Sequence, residues 1–330
     1  MTTHQAEVKP IRRFPVFFLA LVALFLSAAY LLVFPALGRL SDPLEQQLIL
    51  TFRLPLLITA SVVGAALSVG AASLQVLLRN PLADPGIIGL SSGASLVAAT
   101  VLLSGVLPSV WPLHYFLPLL CFIGALASGT LIYVIAQRLS SSSSAVILAG
   151  IAISTIAGAM IGWMYWFSDA QSLRNLTFWL MGSLHQADWS ILSVALPILA
   201  ATLWASCRQG ERLNRYYFGA QFAALGGLDV KRFERNQLLC AALLIGLAVS
   251  LAGSIAFIGL LVPHFLRLLV GHDNRMVLPL SAIVGALLMV WVAIGTEHWT
   301  TTQLPVSMLT ATIGGPLFIW ALMRSPRMSI

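Results

Sequence analysis

Charge is what this sequence lacks. Only 9% of its 330 residues are Asp, Glu, Lys or Arg, 59% are apolar, and the mean hydropathy is +0.93. Soluble domains carry about 25% charged residues, so a soluble globule is excluded and the chain is a polytopic membrane protein. Lysine is nearly absent: Lys9 and Lys231 are the only two. Neither stands in the GxxxxGK[S/T] context of a phosphate-binding loop, so the chain has no P-loop ATPase site of its own. Cysteine is scarce too. Cys121, Cys207 and Cys240 lie in or at the ends of apolar runs without metal-ligand spacing and read as small hydrophobes. The 11 carboxylates fall in loops or near span ends. An ion-coupled secondary transporter, the alternative from another class, usually places ionisable groups at mid-membrane. An intramembrane enzyme would need paired His/Glu or an aligned Ser/Lys or Ser/His, and no such constellation is found.

What is there is a series of apolar runs. A helix crossing about 30 Å of hydrocarbon needs about 20 mostly apolar residues. Spans are expected near 14–37, 50–78, 88–107, 115–137, 144–167, 190–207, 277–296 and 304–323. The first run follows Lys9, Arg12 and Arg13 and is too long for a signal-peptide core. The segment 237–270 is too long for one span, and Gly253, Ser254, Pro263, His264 and Arg267 interrupt it. Cutting it near Gly253 gives ten spans and puts both termini, with 15 of the 18 Lys and Arg residues, on the cytoplasmic side. Only Arg39, Arg53 and Arg174 then lie outside, the asymmetry that sets orientation. The expected fold is all-α, one transmembrane domain over residues 1–330.

Between the second and third spans the chain reads RNPLADPGIIGLSSGA, from Arg79 to Ala94. Pro81 and Pro85 cannot sit in a helix interior without loss of a hydrogen bond and a clash, and each biases the residue before it, Asn80 and Asp84, away from helix. Gly86 and Gly89 permit unusual backbone angles or close packing, so a tight cytoplasmic turn before a packed helix is expected.

The wording of that turn from Asn80 to Ala94 resembles the FecCD/BtuC-type permease family, the membrane subunits of ATP-binding cassette importers for iron-siderophores, haem and cobalamin. Phe257 to His264, His272 to Arg275, Leu304-Pro-Val, Thr310 to Trp320 and Phe178 to Leu184 resemble further family motifs, in family order. The resemblance implies a type II ABC importer permease fold of ten spans and a homodimer with its pathway at the subunit interface. It also implies two cytoplasmic ATPase subunits, which carry ATP and Mg while this chain holds no cofactor, and a periplasmic binding protein. The location implied is a bacterial inner membrane.

Residue roles follow by the same resemblance. The loop 208–235 corresponds to the ATPase-coupling segment, with Phe218, Gly219, Ala224, Gly227, Leu228, Val230 and Arg232 as its candidate contacts; Ala220 and Gly226 depart from the usual acidic residue and Leu. Ser142, Ser143 and Ser144 lie near the inner gate, and are equally readable as a loop and helix cap. Arg53 resembles the first Arg of a docking motif for the binding protein, with Leu56 where the second would stand; an interfacial snorkel is the other reading. Arg174, in a stretch resembling the haem-importing branch, is placed at the pathway entrance with Trp163, Trp166, Phe178 and Trp179. Guanidinium groups suit the propionates of haem, so haem is the expected substrate, ahead of ferric siderophore and cobalamin. The bland readings are a local pair of Arg174 with Asp169 and an interfacial belt of aromatics.

Overall fold

The computed structural model describes residues 14–33, 42–86, 88–104, 112–139, 143–186, 188–298 and 304–324. Every regular element among them is helical: α1 (Phe14–Val33), α2 (Pro43–Leu48), α3 (Leu54–Leu77), α4 (Leu90–Ser104), α5 (Leu113–Leu139), α6 (Ser143–Trp166), α7 (Ala170–Leu180), α8 (Trp189–Cys207), α9 (Gly210–Tyr217), α10 (Ala220–Leu225), α11 (Val230–Ala252), α12 (Ile258–Val270), α13 (Asn274–His298) and α14 (Val306–Arg324). A π-helical turn, Ile49–Arg53, joins α2 to α3. Six of the apolar helices are long enough to cross a membrane, and four shorter ones lie in α1, α4, α12 and α14. These are the ten expected spans.

The cut at Gly253 has a local cause. Its backbone is left-handed, φ 72°, and a side chain there would strike the Trp179 carbonyl, so both the conformation and the space demand glycine. The chain restarts as α12 after Phe257, itself left-handed at φ 71°.

One helix organises the bundle. Every residue of α3 from Val63 to Leu77 is buried, as expected of a helix that is apolar or small all round. It packs against α8, α11, α12 and α13. In lipid there is little hydrophobic drive between helices, so association depends on close packing, which small residues allow. At the α3–α13 crossing a Cβ on Gly64 would overlap the Gly285 carbonyl, and one on Gly285 would overlap the Gly64 carbonyl. Gly93 of α4 and Gly124 of α5 make the same reciprocal contact.

The loops gather at two ends. At the Arg-rich end Ser143 Oγ donates to the Leu77 carbonyl (3.3 Å), and Asn214 Nδ2 donates to Asp273 Oδ1 (2.7 Å). At the opposite end Trp189 Nε1 donates to the Leu50 carbonyl (2.7 Å), Ser183 N–H to Ala252 (2.9 Å) and Val306 N–H to Gly182 (3.2 Å).

Gly64→Ala should therefore cost about 1–3 kcal/mol, the range for overpacking a rigid contact. Thermal unfolding of the purified protein checks this: the melting point should fall clearly, whereas Gly158→Ala, where an added Cβ has no neighbour within 4 Å, should leave it unchanged.

Candidate functional site

The turn RNPLADPGIIG is a clamped wedge. Arg79 takes a left-handed backbone, φ 47°, which ends α3. Asn80 Oδ1 accepts from Leu82 N–H (2.9 Å) and Asp84 Oδ1 from Gly86 N–H (2.8 Å), so the side chain before each proline supplies the acceptor its turn needs. Pro81 follows Asn80 directly, and Pro85 lies against Gly259 of α12. Gly89 has φ 86°, and a Cβ there would sit 2.8 Å from the Gly150 carbonyl of α6; its own carbonyl accepts from Ser128 Oγ of α5 (2.6 Å). The turn thus touches α5, α6 and α12 at once. Ser143 at the start of α6 is half-buried, Ser144 is exposed, and Ser142 lies outside the described residues.

Beyond the turn, the Arg79 guanidinium lies 5.8 Å from the Tyr216 ring centre. Tyr216 is buried in α9 and donates its hydroxyl to Glu234 of α11 (2.6 Å). Burial, reinforced by Glu234, pushes the Tyr216 phenol well above its usual range, so it stays a donor at any physiological pH. Its side chain joins the 208–235 segment to the wedge.

That segment forms two short helices around glycines. Gly219, φ 122°, separates α9 from α10, and Gly227, φ 80°, ends α10, with Leu228 N–H returning to the Ala223 carbonyl (3.0 Å). Asp229 then caps α11 through Arg232 N–H (3.1 Å). Leu228 and Val230 are half-buried and fix the loop, while Ala224 and Arg232 are exposed. Phe218 (75% exposed), Phe222 and Leu225 (86%) face outward together with no cover. Apolar groups at the charged end of a membrane protein are a docking signature. Phe222 and Leu225 were not singled out from sequence, although their i, i+3 spacing beside Phe218 carries the signal.

At the opposite end Asp169 caps α7, accepting from Gln171 N–H (2.9 Å) and Ser172 N–H (3.1 Å), and the Ser172 bonds hold its carboxyl below the usual range. Asp169 is therefore committed to the cap, and exposed Arg174 donates instead to Gln171 Oε1. Trp163, Trp166 (81% exposed) and Phe178 (55%) are open, whereas Trp179 is 4% exposed and packs inward with its carbonyl against Gly253. Phe178 lines a cavity of about 630 Å³ between Gly182–Gln186 and Leu304–Val306. The His185–Glu297 pair (2.6 Å) ties that first loop to α13. Arg53 is held by Glu45 Oε1 (2.6 Å) and the Val33 carbonyl (3.4 Å), so its charge is already partnered within the chain. Within the bundle the buried His264 ring meets Phe318 of α14 edge-on, with ring centres 5.6 Å apart. Among the described residues no three His, Cys, Asp or Glu side chains converge as metal ligands.

A helical bundle with a central buried span, an uncovered apolar patch at one end and an open aromatic mouth at the other is a membrane permease. The FecCD transport family matches residues 15–324, and the chain belongs to that family, the permease subunits of ABC importers. It is 41% identical over 98% of its length to the vitamin B12 import system permease BtuC of Vibrio vulnificus, covering 99% of that protein. It is 39% identical to the hemin transport system permease HmuU of Yersinia pestis, over 83% of each chain. A solved metal-chelate type ABC transporter in an inward-facing conformation superposes with TM-score 0.86 at 27% identity, covering 94% of this chain and all of that one. The type II importer fold expected from sequence is the fold observed.

Two tests follow. Leu225→Asp should abolish transport and ATPase association while leaving the melting point within about 0.5 kcal/mol equivalent, as for a surface change; pull-down of the ATPase and thermal unfolding report the two separately. The Arg275 hydrogen bond, with Asn214, holds Asp273 down at about 2. A folded-state value below the ordinary one means the stabilisation is complete above about pH 5 and lost as pH falls towards 2. The melting-point difference between wild type and Asp273→Asn should be flat from about pH 5 to 8 and shrink below about pH 4.

Proposed function

We propose that the chain imports a metal-bearing tetrapyrrole from the periplasm to the cytoplasm by alternating access, as a homodimer on two ATPase subunits that bind ATP and Mg. In this reading a periplasmic binding protein delivers the cargo to the α7 end, both termini lie in the cytoplasm, and the membrane is the inner one of a bacterium. The observation that carries it is the exposure of Arg174, Trp163, Trp166 and Phe178 together at one end, on α6 and α7. Flat aromatic faces suit a macrocycle, and a guanidinium fork suits the acidic groups at its rim. A two-fold axis would bring two copies of Arg174 to one mouth.

Haem and cobalamin both fit this chemistry. Haem offers two propionates to paired arginines, and the hemin permease relative supports it. Cobalamin offers a phosphate and a rim of amides, and the B12 permease relatives support it over a larger share of the chain. The 208–235 segment would transmit closure of the ATPases through Phe218, Phe222 and Leu225 to Tyr216, Arg79 and the wedge beneath α6.

Uptake into vesicles holding the permease, its ATPase and its binding protein decides among haem, cobalamin and a ferric siderophore. Uptake should need ATP and survive a protonophore; the reverse dependence would mean an ion-coupled carrier. Arg174→Ala should raise the half-saturating concentration of a tetrapyrrole about tenfold or more, the loss of a charge-assisted hydrogen bond, while Arg174→Lys recovers part of it. Uptake of a siderophore alone, or indifference to Arg174, would discard the tetrapyrrole reading.

A further inference from the structure

A groove of about 250 Å³ runs along the seam of α5 and α11 at the Arg-rich end, and neither helix needs it for the functions above. Its floor is where Gly129 meets Ala242: a Cβ on Gly129 would come within 3.2 Å of the Ala242 Cβ, so the helices close tightly underneath. Thr130 and Tyr133 of α5 and Leu239 of α11 form its walls, and Arg235 stands at its mouth. Arg235 and Leu239 are four apart on α11 and share one face. Leu239 is 54% exposed, so that face continues from a cation into bare apolar surface.

Like Lys231 and Arg232 beside it, Arg235 has no charge partner among the described residues, and of the three it alone lines the groove. Arg215 pairs with Glu211 (2.7 Å) and Arg275 with Asp273 (2.8 Å), while Arg212 donates to Gln209, Arg79 lies on Tyr216 and Arg208 on Trp204. Arg235 is exposed and has no ion pair or hydrogen bond among the described residues. Its depth also matters. It lies on the second turn of α11, and Tyr133 lies a similar distance before the end of α5, about 8 Å in from the helix ends at 1.5 Å per residue. Gln237 opens the apolar run of α11 two residues further on, so Arg235 stands at the change from polar to apolar sequence, the level at which arginine and tyrosine meet headgroup phosphates.

We infer that this seam is a binding site for one anionic phospholipid of the Arg-rich leaflet, its phosphate on Arg235 and Tyr133 and an acyl chain in the groove over Gly129. The charge of the site selects an acidic headgroup, because no carboxylate lines the groove to attract the ammonium of a zwitterionic one. The bound lipid completes the α5–α11 contact that stands beside the wedge.

The test is native mass spectrometry of the permease with its partner subunits, taken from membranes containing equal phosphatidylglycerol and phosphatidylcholine. Wild type should retain phosphatidylglycerol in preference. Arg235→Gln should lower that occupancy about fivefold, the effect of one interfacial cation. Thr130→Trp, an exposed position that fills the groove without touching charge, should lower it comparably, and Arg138→Gln, at the same end of α5 but outside the groove, should not. Both groove substitutions are on exposed positions, and occupancy is read only on the monodisperse assembled fraction. Equal retention of the two lipids, no effect of either groove variant, a loss with Arg235→Gln alone, or an equal loss with Arg138→Gln would each overturn the site.

Discussion

The bundle depends on how closely α3 can approach its neighbours. Between Gly64 and Gly285 two backbones touch with no side chain between them. In lipid this contact stands in for the hydrophobic drive that a soluble core would use. The run of small residues through α3, from Gly64 to Ser73, is the reason that five helices can share one centre. The same device recurs where Gly93 meets Gly124 and where Gly89 meets Gly150, so the wedge and the span above it are set by the same physics as the core.

The wedge also explains why a Pro- and Gly-rich break interrupts so apolar a chain. A longer loop could connect α3 to α4 equally well, but it could not bear load. Two side-chain acceptors, two prolines and a carbonyl gripped by Ser128 leave the turn little freedom, and it presses directly on the backbone of α6. On its other flank Arg79 meets Tyr216, which Glu234 fixes in place. Contacts therefore run without a gap from the apolar patch on α10 to the base of α6.

Much of this was legible in the sequence. Charge scarcity gave the solvent, arginine asymmetry gave the cut at Gly253, and the proline and glycine spacing gave the turn. The individual site roles were less legible, for physical reasons. Whether Arg174 is open depends on Asp169 spending its carboxylate on a helix cap, and five residues of spacing do not reveal that choice. Trp163 and Trp179 are equally apolar in sequence, yet one is open and the other is folded against Gly253. Arg53 reads as a free cation until Glu45, eight residues earlier and across a π-helical turn, closes on it. Each outcome is decided by a partner that arrives through the fold.

Burial within the chain divides the spans into a deeply packed frame and a more open set. In their most apolar windows α3 and α11 are 72% buried and α6 only 22%. Displacing a helix costs the packing it must break, since dispersion contacts are lost with every gap that opens. Shifting α3 would break contacts with α8, α11, α12 and α13 together, while a Cβ added at Gly158 or Gly162 of α6 would meet no other element of the chain within 4 Å. Within one chain the open spans are the ones that would break least packing on moving, and the wedge touches one of them, α6. The open packing of α6 within the chain and the stiffness of the turn beneath it fit the alternating access proposed above, in which force would arrive through something rigid and be spent on something free.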